Sequence, residues 1–226
     1  MTFSPAFPRM ILPTFDARNA GGAWWNLFGA IPTANCLAAY QPKGAASLSA
    51  SYVNLTGTMA YNLTTTSAPD WDATNGWKKN SDLNFLDTAV VPSSGWSMII
   101  RFTNHANTGA YSYICGESTA NANIAMSPKE NTSNRGFYNS GGIAISGALT
   151  SGVMAVAGLK GYTNGSVEAG SCAAWSTTTT KTIYILGANG LLGVNAPDAA
   201  YVQAFVIYNN DQAANMAALY TAIAAL

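Results

Sequence analysis

Ala199-Ala200-Tyr201-Val202-Gln203-Ala204-Phe205-Val206-Ile207-Tyr208, followed by Asn209-Asn210-Asp211 and an alanine-rich run to Leu226, is the stretch that decides the fold. Tyr201, Gln203, Phe205 and Ile207 alternate with Val202, Ala204, Val206 and Tyr208, and both sets are largely apolar. That pattern reads as a strand buried on both faces. Asn209-Asn210-Asp211 breaks it and supplies a helix N-cap. From Gln212 to Leu226, the residues Met216, Leu219, Tyr220, Ile223 and Leu226 recur at three- and four-residue spacing among alanines, which is one apolar stripe on a strong helix former. A doubly buried strand feeding one terminal helix, in a chain that elsewhere reads as β, predicts a sandwich whose central strand is followed by a helix lying on the sheet.

The rest of the chain agrees. In Gly95-Trp96-Ser97-Met98-Ile99-Ile100-Arg101-Phe102-Thr103, the residues Trp96, Met98, Ile100 and Phe102 share one face. Asn104 to Gly109, with His105 exposed, reads as a turn returning Ala110–Gly116 as a partner strand. Further strands are expected at Ser51–Leu55, Met59–Leu63, Leu83–Val91, Asn123–Pro128, Gly152–Leu159 and Thr182–Gly187. Trp71 to Trp77, around Asn75-Gly76, reads as a hairpin or a loop, and Asn164-Gly165 as a tight turn. Many short strands with Gly, Asn and Pro punctuation predict a two-sheet antiparallel sandwich. Residues 1–22 differ: Pro5, Pro8 and Pro13 alternate with Phe3, Phe7, Ile11, Leu12 and Phe15. Proline excludes a regular helix or a central strand there, yet the segment is too apolar for a plain linker. It reads as an extended arm docking on its own domain, on a neighbouring subunit or on a larger particle. The expected organisation is an arm over 1–22 and one domain over 23–226.

Composition excludes several functions. Charged residues make up 9%, against roughly 25% in ordinary soluble proteins. Lys+Arg and Asp+Glu are 10 each, without the basic patch that nucleic acid would require. No run is long and apolar enough to span a membrane, and Met1-Thr2-Phe3-Ser4-Pro5 has no features of a signal peptide. Near-zero net charge favours life in an assembly, so copies of the chain itself, or other particle proteins, are expected partners. Cys36, Cys115 and Cys172 are far apart and show no zinc spacing; buried reduced thiols are expected.

Near the middle of the chain, Trp96 to Phe102 forms a strand with Trp followed by Arg-Phe. Ile183-Tyr184-Ile185-Leu186-Gly187 follows, and Phe205-Val206-Ile207-Tyr208-Asn209 leads into the terminal helix. In these features the chain resembles the concanavalin A-like, laminin-G-like jelly rolls from about Cys36 to Leu226. The resemblance implies an all-β jelly-roll sandwich with a C-terminal α-helix, and a function among lectins, adhesion modules, glycosidases and structural modules of bacteriophage particles. Low charge, Ala/Thr/Asn richness and the absent signal peptide look most like the phage-derived members. The implied role is a non-catalytic virion module, on the capsid surface or the tail, with a cell-surface glycan as a candidate ligand. A stand-alone carbohydrate-binding module and a glycosidase of the same fold are the alternatives.

The chemistry-bearing residues favour a non-catalytic reading. Glycoside hydrolysis needs two carboxylates flanking the scissile bond, and Glu117, Glu130 and Glu168 have no acidic neighbour two or four residues away. Asp70 and Asp72 bracket Trp71 in a turn-rich stretch; they fit turn formation better than calcium binding. Calcium remains open, through Asp70, Asp72, Asp87 or Asp198, and no metal or cofactor is assigned. One histidine supports no triad. Gly187 to Gly193 lacks the lysine of a phosphate loop. The candidate sugar-stacking residues are Trp24, Trp25, Trp71, Trp77 and Trp175; core packing is the commoner use of paired tryptophans.

Overall fold

A computed structural model of the protein describes residues 23–81, 83–106, 112–130, 133–190 and 200–226. The predicted arm, with Phe3, Phe7, Ile11, Leu12 and Phe15, lies outside the described residues, as does Asp198. In chain order the strands are β1 (Cys36–Tyr40), β2 (Asp70–Asp72), β3 (Gly76–Lys78), β4 (Leu86–Asp87), β5 (Ser97–Thr103), β6 (Cys115–Glu117), β7 (Ile124–Ser127) and β8 (Asn134–Asn139). They continue as β9 (Gly141–Ser146), β10 (Gly152–Ala157), β11 (Lys160–Thr163), β12 (Ser166–Val167), β13 (Tyr184–Ile185) and β14 (Tyr201–Tyr208). One helical turn, α1 (Leu48–Ser51), and the terminal helix, α2 (Met216–Ala224), complete the set.

The strands form two antiparallel sheets. The larger runs β12-β11-β10-β5-β14-β3-β2, with β1 also paired to β14; the smaller runs β4-β13-β6-β7-β8-β9. This is the expected all-β sandwich. The core between the sheets holds Trp77, Met98, Ile100, Phe102, Phe137, Ile185, Phe205 and Ile207. A second core lies on the outer face of the larger sheet, where Ile99, Ala204, Val206 and Tyr208 meet Met216, Leu219 and Ile223 of α2 and the 3₁₀ segment Trp24–Gly29. Both faces of β14 are therefore buried, as its apolar run predicts. Tyr208 Oη donates to Trp25 O at 2.5 Å and fastens the Trp24–Gly29 segment to that outer face.

Simple alternation along β14 fails at one position. The register against β5 slips between Val202 and Ala204, so a bulge at Gln203 carries one extra residue. Val202 then joins Phe205 and Ile207 in the inner core, while Ala204, Val206 and Tyr208 face α2. The face assignment read from the sequence is thus right from Ala204 onward and reversed before it.

Other departures have local causes. Ser51–Leu55 is not a strand: Ser47 Oγ accepts from Ala50 N at 3.0 Å and caps α1. Beyond it the Asn54 side chain stands in for a neighbouring strand beside β1. Its Oδ1 accepts from Ala39 N at 2.9 Å, and its Nδ2 donates to Leu37 O at 3.1 Å. Met59–Tyr61 is a 3₁₀ turn, and only Leu86–Asp87 of the Leu83–Val91 expectation is strand. Nor does β6 return beside β5. At Asn104, in the left-handed region (φ +58°), the chain leaves the larger sheet, and β6 pairs β7 and β13 in the smaller one. His105 is buried, not exposed; its ring meets Phe102 edge-on at 6.3 Å.

The hairpin expectations hold: β2 pairs β3 around Thr74–Asn75, and Asn164-Gly165 joins β11 to β12 with φ of +49° and +80°. At the far end of the sandwich the sheets approach closely. A Cβ on Gly161 of β11 would lie 2.5 Å from Phe137 Cγ of β8, so only glycine fits. There Arg135 Nη2 of β8 also bridges the layers to Glu168 Oε1 at 2.6 Å, and its Nε donates to Thr163 Oγ1 at 3.1 Å.

Candidate functional site

The five candidate tryptophans do not form a common platform. Trp24 and Trp25 are buried beneath α2, and Trp77 is fully buried between the sheets, its Nε1 donating to Ser51 Oγ at 2.7 Å. These three are core residues, which corrects their reading as sugar-stacking surfaces. Trp71 lies opposite Trp77 in the β2–β3 register and is half-buried, with Nε1 donating to Pro42 O at 3.0 Å. Trp175 is half-buried elsewhere, its Nε1 bonded to Asn139 Oδ1. In a small, sparsely charged domain the largest apolar rings have most to gain from burial, and they went inward.

Asp70 and Asp72 serve the hairpin. Asp72 Oδ1 accepts from Thr74 N at 2.9 Å and Asn75 N at 2.7 Å. Slight burial works against ionisation, yet the Asn75 side-chain amide, which donates to both Asp72 oxygens, and then these backbone bonds hold the Asp72 carboxyl below its usual range. Among the described residues no three His, Cys, Asp or Glu side chains converge as a metal site. Cys36, Cys115 and Cys172 are all buried free thiols. Burial pushes all three up, Cys172 to about 11, so none supplies a thiolate at neutral pH.

Residues outside that set of tryptophans build a groove at the β4 edge of the smaller sheet. Leu86 and Ile185, paired in register, point into the core and are fully buried. Strand alternation therefore turns Phe85, Asp87 and Tyr184 outward. Phe85 and Tyr184 stack with ring centroids 4.2 Å apart and planes within 5°. The loop Thr64–Thr66 closes the side, held by Thr64 N to Asp87 O at 3.1 Å and by Asp87 N to Thr64 O at 2.8 Å. Thr65 Oγ1 donates to Phe85 O, with 2.7 Å between them. The cavity so enclosed is about 250 Å³, lined by Thr64, Thr65, Thr66, Phe85, Asp87 and Tyr184. Burial, and then the Asp87 charge, raises the Tyr184 phenol, which keeps its proton for donation at neutral pH. Asp87 Oδ1 accepts from Ala89 N at 2.8 Å; a carboxylate keeps acceptor sites beyond that one bond.

The sequence missed this groove because its parts meet only through long-range pairing. Thr88 and Ile183 bond across 95 residues. A local signal did exist: Phe85-Leu86-Asp87 and Tyr184-Ile185 alternate, with polar or amphipathic residues on one face. Nothing local shows that the two runs lie side by side.

Fold and groove together define an all-β sandwich carrying a small aromatic, hydroxyl- and carboxylate-lined site. No family model matches the chain, and no curated protein matches it. Solved structures do. The receptor binding domain of botulinum neurotoxin D superposes with a TM-score of 0.59 at 12% identity, over 84% of this chain and 53% of that one. The receptor binding domain of the botulinum neurotoxin C/D mosaic serotype gives 0.58 at 12%, over 84% and 51%. Trypanosoma rangeli sialidase in complex with the inhibitor DANA gives 0.51 at 15%, over 94% and 35%. The chain thus spans about half the length of the toxin domains and about a third of the sialidase. At such identities the likeness is one of fold.

Proposed function

We propose that the chain is a non-catalytic glycan-binding sandwich module that holds one sugar ring in the Thr64–Thr66, Phe85, Asp87, Tyr184 groove. The observation that carries this is the stacked Phe85–Tyr184 pair beside an outward carboxylate and a threonine loop. A sugar presents a C–H face, which stacks on an aromatic ring, and hydroxyls, which donate to a carboxylate and exchange hydrogen bonds with Thr and Tyr hydroxyls. The cavity is smaller than the roughly 300–1,000 Å³ of drug-sized sites, so it suits one residue of a longer glycan. Binding domains among the structures of similar fold lend support.

The non-catalytic part rests on the carboxylates. Among the described residues Asp87 is the one carboxylate lining the groove; Glu117 is buried, Glu130 bonds Tyr138, and Glu168 pairs Arg135. Turnover of any polysaccharide by the native chain would overturn it. Tyr184→Ala is expected to weaken glycan-array binding roughly tenfold or more, as loss of an aromatic anchor does, while Trp175→Phe leaves it unchanged. Equal binding by Tyr184→Ala and the native chain would remove the site. Placement of this module on a bacteriophage particle rests on composition and on residues 1–22 alone. A chain lacking residues 1–22 is expected to lose particle assembly, and normal assembly would remove that placement.

A further inference from the structure

The outer face of the larger sheet carries a second cavity, about 210 Å³, beneath the end of α2. Arg101 of β5 stands at its base. Met98, Ile100 and Phe102 face the inner core, so alternation sends Arg101 outward, between Val153 of β10 and Ala204 of β14 in register. Thr103, Ser151 and Asn164 stand at the rim, and Tyr220 lines the wall from α2. The extra residue of the β14 bulge, Gln203, also lines the cavity. Bulges re-aim side chains in this way.

Arg101 is half-buried, and among the described residues its charge has no acidic counterpart. Its Nη1 donates to Ile223 O at 3.0 Å, near the C-terminus of α2, where the helix dipole offers a fraction of a negative charge. A guanidinium has five N–H donors, so one carbonyl leaves most of the fork unused. A second cation lies close by. Burial first, and then Arg101, holds the Lys43 ammonium below its ordinary range, and the Lys43 backbone N–H donates to Gln203 O at 3.5 Å. Among the described residues the one carboxylate–guanidinium pair is Arg135–Glu168, elsewhere in the fold. Two neighbouring cations with no carboxylate paired to either among the described residues, one of them at the base of a polar-rimmed cavity, call for an anion from outside the chain.

We propose that this cavity binds a small oxyanion, the carboxylate of an acidic sugar or a phosphate monoester, on the Arg101 fork, with the Gln203 and Asn164 amides and the Ser151 and Thr103 hydroxyls around it. The cavity is too small for a larger ligand, and a guanidinium matches carboxylate and phosphate oxygens pairwise. The site is on the opposite sheet from the Tyr184 groove, so either stands or falls without the other.

The test is an NMR titration of the full chain with glucuronate, glucose 6-phosphate and glucose at matched ionic strength. One or both anions, and not glucose, are expected to shift the Gln203 and Asn164 side-chain amides and the Arg101 Nε–H. Which anion acts identifies the source of the charge. Arg101→Lys keeps a charge but loses the fork, and is expected to weaken binding roughly tenfold. Its unfolding midpoint reports separately on the bond to Ile223. Shifts with glucose equal to those with the anions, shifts confined to other residues, or unchanged affinity in Arg101→Lys would overturn the proposal. The titration of the native chain decides even if the variant folds poorly.

Discussion

Phe205→Ala is expected to lower the unfolding free energy by about 3–5 kcal/mol, the range for removing a large ring from a close-packed core. Phe205 is fully buried midway along β14, stacked on Tyr40 with centroids 6.5 Å apart and planes within 7°. Its strand pairs β5 on one side and β1 and β3 on the other, so a void there weakens the strand that joins most of the larger sheet. Urea unfolding of the variant and the native chain measures the difference, with the slope expected to stay constant. A loss below about 0.5 kcal/mol, the size of a typical surface change, would mean that Phe205 does not sit between the sheets.

Glu117→Gln is expected to abolish a pH dependence of stability that the native chain shows between about pH 4.5 and 7. Glu117 ends β6 and is fully buried. Oε2 accepts from Thr119 Oγ1 at 3.0 Å and from Thr179 Oγ1 at 3.1 Å, while Oε1 is buried without a hydrogen-bond partner. Burial lifts the carboxyl from its ordinary 4.5 to about 7, against the opposing pull of those two hydroxyls and the Lys181 charge. Between those pH values the folded chain holds a proton that the unfolded chain has released. Stability is therefore full below the lower value and is lost as pH rises through the upper one. The loss is about 3 kcal/mol, and a neutral glutamine escapes it. Urea midpoints at pH 5 and pH 8 are expected to differ less in the variant, which becomes the more stable of the two at pH 8. Parallel pH profiles would show that Glu117 titrates normally.

What the sequence disclosed, and what it withheld, follow one physical division. The double burial of β14, the α2 stripe of Met216, Leu219 and Ile223, the face shared by Met98, Ile100 and Phe102, and the Asn164-Gly165 turn all express local periodicity or local backbone preference. Those were legible. The bulge at Gln203 was not, because one extra residue in a strand changes no composition and is defined only against β5. Asn54, whose amide replaces a strand beside β1, looks like any loop asparagine until Leu37 and Ala39 are placed next to it. The functional residues suffered most. Exposed tryptophan is a familiar mark of sugar binding, yet Trp24, Trp25 and Trp77 went to the cores. The groove came instead from Phe85, Asp87 and Tyr184, whose pairing is set by the β4–β13 register. Arg101 stood in plain view on the polar side of β5, and only the absence of a carboxylate partner among the described residues, visible in three dimensions, made it informative.

The most direct test of the glycan-binding account is chemical-shift mapping of the full chain with the highest-ranking sugar from a glycan array. The account predicts that the largest perturbations fall on Thr64, Thr65, Thr66, Phe85, Asp87 and Tyr184, and that they vanish in Tyr184→Ala. Perturbations centred on Trp71 or Trp175, or persisting unchanged in Tyr184→Ala, would contradict it.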